Sequence, residues 1–331
     1  MRHRGRRGGA AGSPGGIGRL AALSALLVLA LSAITGPANA ADPNRWRMVN
    51  FREVPVEYFQ GVTSAPGRLF FDGTAVGLYR TNARLRETGR VDNVIPPEVL
   101  AREGYNHIGD ISYDRAEGGR ILLPLECYYP GTQPDANTCE TGSIGVADPR
   151  TLRWRYYVKL DPRFIPKAMW NEISPDGRLI WTSSGDDLIA YRAAEVRRGN
   201  AAPGGRLLRP VRRLRGAVPD HGITGAAFYR GRLFLAGQDE DRMRVTSVDL
   251  RTGDSRLEIE RTIVGESEGL DVSPVLGGVL HWLIAPIPQG DNPNPTFGRG
   301  HSALVQFVPR RQRPANRRPA AIRRPALTGS R

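Results

Sequence analysis

The chain has 331 residues, 40% hydrophobic and 24% charged, with 2 cysteines and a formal net charge of +14. The positive charge is confined to the ends. Residues 1–40 hold five arginines and residues 309–331 hold eight, with no acid in either stretch, which leaves +1 for everything between. A basic groove for a phosphate backbone is therefore not indicated in the body, and a nucleic-acid partner is not expected.

The arginine-rich start precedes an apolar run, Leu20 to Ile34, and then Gly36-Pro37-Ala38-Asn39-Ala40. That is the order of a secretory signal, with cleavage expected after Ala40. As a helix, fifteen apolar residues reach about 22 Å, short of a hydrocarbon core of ~30 Å, so the run is too short for an anchor. No later stretch is apolar for long enough to span a membrane. The mature protein is expected to be a soluble monomer that is secreted, periplasmic or held at the cell surface. Cys127 and Cys139 lie in one polar insertion without a histidine. In an oxidising compartment they are expected to form a loop-closing disulfide, and further zinc ligands are lacking nearby.

Trp46 to Val54 is strand-like but has no hairpin of its own. After it, a glycine followed by a linking residue and Leu or Ile recurs. The copies are Gly67-Arg68-Leu69, Gly119-Arg120-Ile121, Gly177-Arg178-Leu179, Gly231-Arg232-Leu233 and Gly278-Val279-Leu280. Each is the turn of a β-hairpin whose return strand is β-branched or aromatic. A repeat of this length on strand-like segments predicts an all-β fold, a β-propeller.

In chain order, the first repeat runs from Gln60 to Tyr79, with a polar outer strand in Arg80–Val94. The second runs from Tyr105 to Val158 and contains the cysteine excursion. The third joins Ile173, the turn Ser174-Pro175-Asp176-Gly177, Leu179–Thr182, Leu188–Tyr191 and Leu207–Val211. The fourth runs from Ile223 to Ile263. The fifth runs from Gly269 to Val308 with three strands only. Trp46–Val54 supplies the missing strand, so that pairing of the chain's two ends closes a five-bladed ring and removes free edges. Six blades would need another inner hairpin, for which Arg80–Val94 is the only space. From Pro309 the chain is Arg/Pro-rich and nearly devoid of apolar residues, and is expected to be a disordered tail.

The turn Ser174-Pro175-Asp176-Gly177-Arg178 and the phrases Val248-Asp249-Leu250-Arg251-Thr252-Gly253 and Ala147-Asp148-Pro149-Arg150-Thr151-Leu152 resemble repeat signatures of bacterial β-propellers of the TolB-like broad class. The resemblance covers roughly residues 45 to 308. It implies the fold; that architecture hosts hydrolases, lyases, lectins and scaffolds alike.

In a propeller, polar residues just before each inner strand converge on the axis. Blade by blade they are Gln60; His107 and Asp110; Asn171 and Glu172; His221 and Thr224; and Glu266 and Glu268. One reading is an axial mouth that binds a small molecule or cell-surface glycan, with Gln60, Asn171, Thr224 and Glu266 touching the ligand. A second is a Ca²⁺-assisted hydrolase or lyase. There Asp110, Asn171, Glu172 and Glu268 hold the cation, and His107, Glu172 and His221 transfer protons. In outline this arrangement resembles the calcium-dependent propeller lactonases and related esterases. A third is metal-free glycoside hydrolysis by two of Asp110, Glu172 and Glu268. Gly265-Glu266-Ser267-Glu268-Gly269 matches a nucleophile elbow in letters only, because a strand follows it where the elbow needs a helix.

Overall fold

The computed structural model describes residues 45–73, 76–128, 139–199, 207–263, 265–274, 276–286 and 301–310. The expected secretory leader, most of the cysteine excursion and the expected tail from 311 onward lie outside the described residues. The strands form five sheets in a ring, a five-bladed β-propeller.

The first strand, β1 (Trp46–Pro55), is set aside for the end of the chain. Blade 1 holds β2 (Gly61–Ala65), β3 (Arg68–Gly73), β4 (Gly77–Asn82) and β5 (Glu87–Val91). A short helix, α1 (Pro97–Glu103), leads to blade 2. That blade has β6 (His107–Ile108) and β7 (Ser112–Asp114) on its inner side, then β8 (Arg120–Glu126), β9 (Ser143–Ala147) and β10 (Trp154–Lys159). Blade 3 holds β11 (Glu172–Ile173), β12 (Leu179–Ser184), β13 (Asp187–Arg192), helix α2 (Ala193–Arg198) and β14 (Arg212–Leu214). Blade 4 holds β15 (Gly222–Tyr229), β16 (Arg232–Asp239), β17 (Arg242–Val248) and β18 (Ser255–Thr262). Blade 5 holds β19 (Glu266–Val272), β20 (Leu280–Ala285) and β21 (His301–Pro309).

β1 completes blade 5, antiparallel to β21, paired from Trp46 opposite Pro309 to Pro55 opposite His301 with one bulge between Met48 and Asn50. The ring is thus closed by the two ends of the chain, as the strand count required. Arg80–Val94 yields the outer strand β5 and no sixth hairpin. One boundary differs from expectation. The outer strand of blade 3 is Arg212–Leu214, because Leu208 is drawn into the seam with blade 2, where it bridges Leu160.

The turns explain why the repeats fold locally. In the third repeat Gly177 takes a positive φ of 68°, its N–H donates to the Ser174 carbonyl at 2.8 Å, and the Leu179 N–H donates to Ser174 Oγ at 3.0 Å. Asp148 and Asp249 tie the outer turns of blades 2 and 4 in the same way, each accepting from the amide two residues on, Arg150 and Arg251.

The core lies in the five seams between blades. Along β8, Ile121, Leu123 and Leu125 pack against blade 1, whereas Leu122 packs against blade 3. Successive side chains of a strand point to opposite faces, so a blade with a neighbour on each side must be apolar at both. That is why these strands read as unbroken apolar runs. Cys127 and Cys139 form a disulfide at the base of the excursion from blade 2.

Candidate functional site

Each inner strand is an edge strand, so its axial N–H and C=O groups need partners from outside its own blade. One side chain meets much of that need. Between β6 and β7 blade 2 holds one residue more than β8 opposite, since Ile108 faces Leu125 and Ser112 faces Leu122. This bulge lifts Asp110 out of the ladder and into the axis. Asp110 Oδ1 accepts from the Val62 amide of blade 1 at 3.1 Å. Oδ2 accepts from Ala226 of blade 4 at 2.9 Å and Leu270 of blade 5 at 3.2 Å. Its own N–H donates to Met169 at 3.0 Å and its carbonyl accepts from Asn171 at 3.2 Å, which adds blade 3. Burial pushes this carboxyl well up, while the three amides pull against it.

The inner strands meet here backbone to backbone. A β-carbon on Gly269 would stand 2.5 Å from the Val62 nitrogen, and one on Gly61 would stand 2.7 Å from the Ile111 nitrogen. Asp110 therefore fills the axis and divides its polar residues into an upstream and a downstream group.

Upstream lie Gln60, His107, Glu266 and Glu268. Gln60 Nε2 reaches Glu268 Oε1 at 3.5 Å, and Gln60 Oε1 lies 2.8 Å from His107 Nε2. An amide oxygen only accepts, so His107 carries its proton on Nε2. Burial, and then the Lys167 ammonium, push His107 down to about 4. Lys167 itself sits 3.4 Å from Glu126, which faces His107 across the β6–β8 pair. Glu268 is raised well above the carboxylate range by burial and then by Glu266, Asp72, Glu126 and Asp110.

A pH dependence follows from Glu268. Below the unfolded carboxyl's titration, near pH 4, both states are protonated and its contribution is intact. As pH rises the unfolded carboxyl ionises before the raised folded one does, so stability is lost. Glu268→Gln is expected to be more stable than the wild type at pH 8, by roughly 1 kcal/mol or about 2–4 °C in Tm, and equal to it at pH 4. Thermal unfolding across pH 4–9 measures this; a gap that does not narrow on acidification would count against the buried neutral carboxyl.

Downstream, a cleft of about 480 Å³ opens on the axis. Its lining includes Thr63, Ser64, Tyr113, Glu172, Phe228 and Asp271. Glu172 Oε1 accepts from the Phe228 amide at a long 3.4 Å. Burial, and then Asp271 and Asp110, raise this carboxyl well above its usual range. Asp271 is held differently. Its Oδ1 accepts from the Ser64 amide and hydroxyl, both at 3.1 Å, and its Oδ2 from Ser273 Oγ at 2.9 Å. Burial raises it too, but His281 and these hydroxyls oppose the rise. Both carboxyls are thus raised; Asp271 has His281 and the serine donors to oppose the rise, and Glu172 has the long Phe228 amide.

The expected single mouth is in fact several places. Glu172 lies downstream, separated by Asp110 from His107 and Glu268. Asn171 is buried, with its Oδ1 accepting from Ser112 Oγ at 2.6 Å and its Nδ2 donating to Leu122 O at 3.4 Å. Thr224 Oγ1 donates to the Glu268 carbonyl at 3.2 Å in the seam of blades 4 and 5. His221 lines another hollow, of about 470 Å³, between blades 3 and 4. Burial and then Arg244 lower it, and its buried Nε2 lacks a hydrogen-bond partner. The four residues expected to hold Ca²⁺ do not fit a hard cation together, because Asp110 and Asn171 already serve as strand clamps. Among the described residues no three His, Cys, Asp or Glu side chains are grouped to hold a metal ion.

Asp271 and Ser64 escaped the sequence reading because both follow the start of their inner strands. Asp271, a carboxylate inside the otherwise apolar Leu270–Val272, is the signal that would have found them.

No family model matches the chain, and no curated protein matches it. Among solved structures it is similar to the glutaminyl cyclase of Myxococcus xanthus, at 11% identity over 80% of this chain and 97% of that one, with a TM-score of 0.48. It is also similar to a putative oxidoreductase (glucose dehydrogenase) of Thermus thermophilus, at 11% identity, 78% and 100% coverage and a TM-score of 0.46. A third is the soluble aldose sugar dehydrogenase of Escherichia coli, at 10% identity, 79% and 100% coverage and a TM-score of 0.42. These are likenesses of fold; the propeller assignment itself stands on the strand pairings.

Proposed function

We propose that the protein binds a small polyhydroxylated molecule, or the end of a glycan, in the downstream axial cleft. The observation that carries this reading is one cavity wall bearing two carboxyls held differently, Glu172 by a long amide hydrogen bond and Asp271 by Ser64 and Ser273. Carboxyl oxygens side by side suit a sugar's vicinal hydroxyls, and Tyr113 and Phe228 line the same cavity. The expected secretory leader and the disulfide support an exported protein of bacterial TolB-like kind, acting outside the cytoplasm. Among the described residues no helix is long and apolar enough to cross a membrane.

The test is a panel of mono- and disaccharides measured by calorimetry. Glu172→Gln and Asp271→Asn are each expected to weaken binding about tenfold or more, and His107→Ala, at the other end of the axis, to leave it unchanged. Binding that survives both carboxyl substitutions but is lost in His107→Ala would move the site upstream and overturn the reading.

The unequal surroundings of the two carboxyls favour a second reading, hydrolysis of a glycosidic bond with Glu172 as acid. Release of nitrophenol from aryl glycosides, abolished in Glu172→Gln, separates an enzyme from a binder.

A further inference from the structure

We propose that the ligand of the downstream cleft carries a protonated amine, seated between Glu172 and Asp271; this rests on the cleft being the ligand site. The charges around the cavity point to it. Two carboxyls stand on its wall, and the nearby cations are engaged elsewhere or stand off. Arg197 forks onto Asp114, with Nε to Oδ2 at 2.7 Å and Nη2 to Oδ1 at 2.8 Å, and also reaches the Gly177 carbonyl at 2.9 Å. Arg178 sits 3.8 Å from the exposed Asp176. Arg115 is exposed at the rim and, among the described residues, pairs with neither carboxyl.

Behind Asp271, His281 directs Nε2 to the Ser273 carbonyl at 3.0 Å and takes a hydrogen bond from Gln306 on Nδ1 at 2.9 Å, so it does not donate to Asp271. Buried carboxylates are ordinarily paired with a cation. Here Asp271 has His281 opposite it across the β19–β20 pair, whereas Glu172, among the described residues, pairs with no cation and is held by the long Phe228 amide.

An ammonium group supplies what is missing. Its N–H donors face carboxylate oxygens on two sides, and its charge makes the ionised state of both carboxyls the favoured one. Burial raises the Glu172 carboxyl in the free protein, the ammonium lowers it again, and the proton so displaced leaves to solvent as the amine binds. A neutral hydroxyl in the same place leaves that proton where it is. The rings of Tyr113 and Phe228 and the hydroxyls of Thr63 and Ser64 line the rest of the cavity, so an amino sugar uses the whole of it.

Calorimetry on the full mature chain tests this with glucosamine, N-acetylglucosamine, glucose and putrescine, each in two buffers of different ionisation enthalpy at pH 6.5. Glucosamine is expected to bind about tenfold more tightly than its two neutral relatives, and to release a proton on binding. The preference is expected to vanish in Glu172→Gln. If that variant does not fold, Asp271→Asn and the wild-type proton count carry the same test. Putrescine binding as tightly as glucosamine, with proton release, would uphold the amine and identify a simple amine in place of a sugar. Equal binding of all three sugars without proton release would overturn the amine and leave the sugar site standing. Absence of binding by all four probes would overturn both.

Discussion

Asp110→Ala is expected to lose about 4 kcal/mol or more of folding stability, enough to leave little folded protein at 37 °C. The side chain accepts three amide hydrogen bonds from three blades other than its own. Hydrogen bonds to a charged or strongly polar acceptor are worth about 1.5–3 kcal/mol each, and removing the acceptor leaves buried N–H groups without a partner. Alanine leaves all three amides unmatched and opens a void on the axis. Asp110→Asn is the more informative partner. Its oxygen still accepts, but its NH₂ turns a donor towards an amide donor, so an intermediate loss is expected. Urea unfolding followed by circular dichroism measures both. A loss under 1 kcal/mol for the alanine variant would mean that the inner strands hold the ring without their central acceptor.

The second large effect is expected at the closure. Trp46 on β1 is 2% exposed, donates from Nε1 to Glu258 at 3.2 Å and packs edge-on against Tyr229 at 5.2 Å and Phe234 at 5.8 Å. It therefore binds the first strand of the chain into the seam between blades 4 and 5. Trp46→Ala is expected to cost about 3–5 kcal/mol, from the cavity and the stranded Glu258 acceptor together. Deleting residues 45–55 goes further, because it exposes β21 as a free edge. That variant is expected to associate with increasing concentration in sedimentation experiments, whereas the full chain stays at one mass. A truncated chain that remains monomeric and unfolds at the wild-type urea midpoint would show that β1 decorates the ring and does not close it.

These two residues also show where sequence reading succeeds and where it stops. Trp46–Val54 could be assigned to closure from the sequence because the assignment needs only a count. Four repeats carry four strands, the fifth carries three, and a spare strand stands at the other end. The hairpin turns were legible for the same local reason, since Gly177 and the acceptors Ser174, Asp148 and Asp249 act within a few residues of themselves. Asp110 was recognised as axial, but its partners Val62, Ala226 and Leu270 lie 48, 116 and 160 residues away. Nothing local distinguishes a carboxylate that will meet a cation from one that will meet three amides.

By itself, the sequence determined the all-β class, the five-blade count, the closure by the chain ends, the Cys127–Cys139 pairing and some of the polar residues near the axis, Asp110 among them. Those features depend on period-two apolar runs, on turn chemistry and on counting, all of which are written in neighbouring residues. Only the tertiary structure decided which axial residues share a site. A one-residue bulge at Gly109–Ile111 sends Asp110 across the axis, and glycine-to-backbone contact at Gly61 and Gly269 seals it there. Glu172 is thereby parted from His107 and Glu268 and given Asp271 as its neighbour. The physical reason is that a strand's position fixes which face a residue takes, but the level it occupies on a shared axis is set by how five separate blades pack against one another.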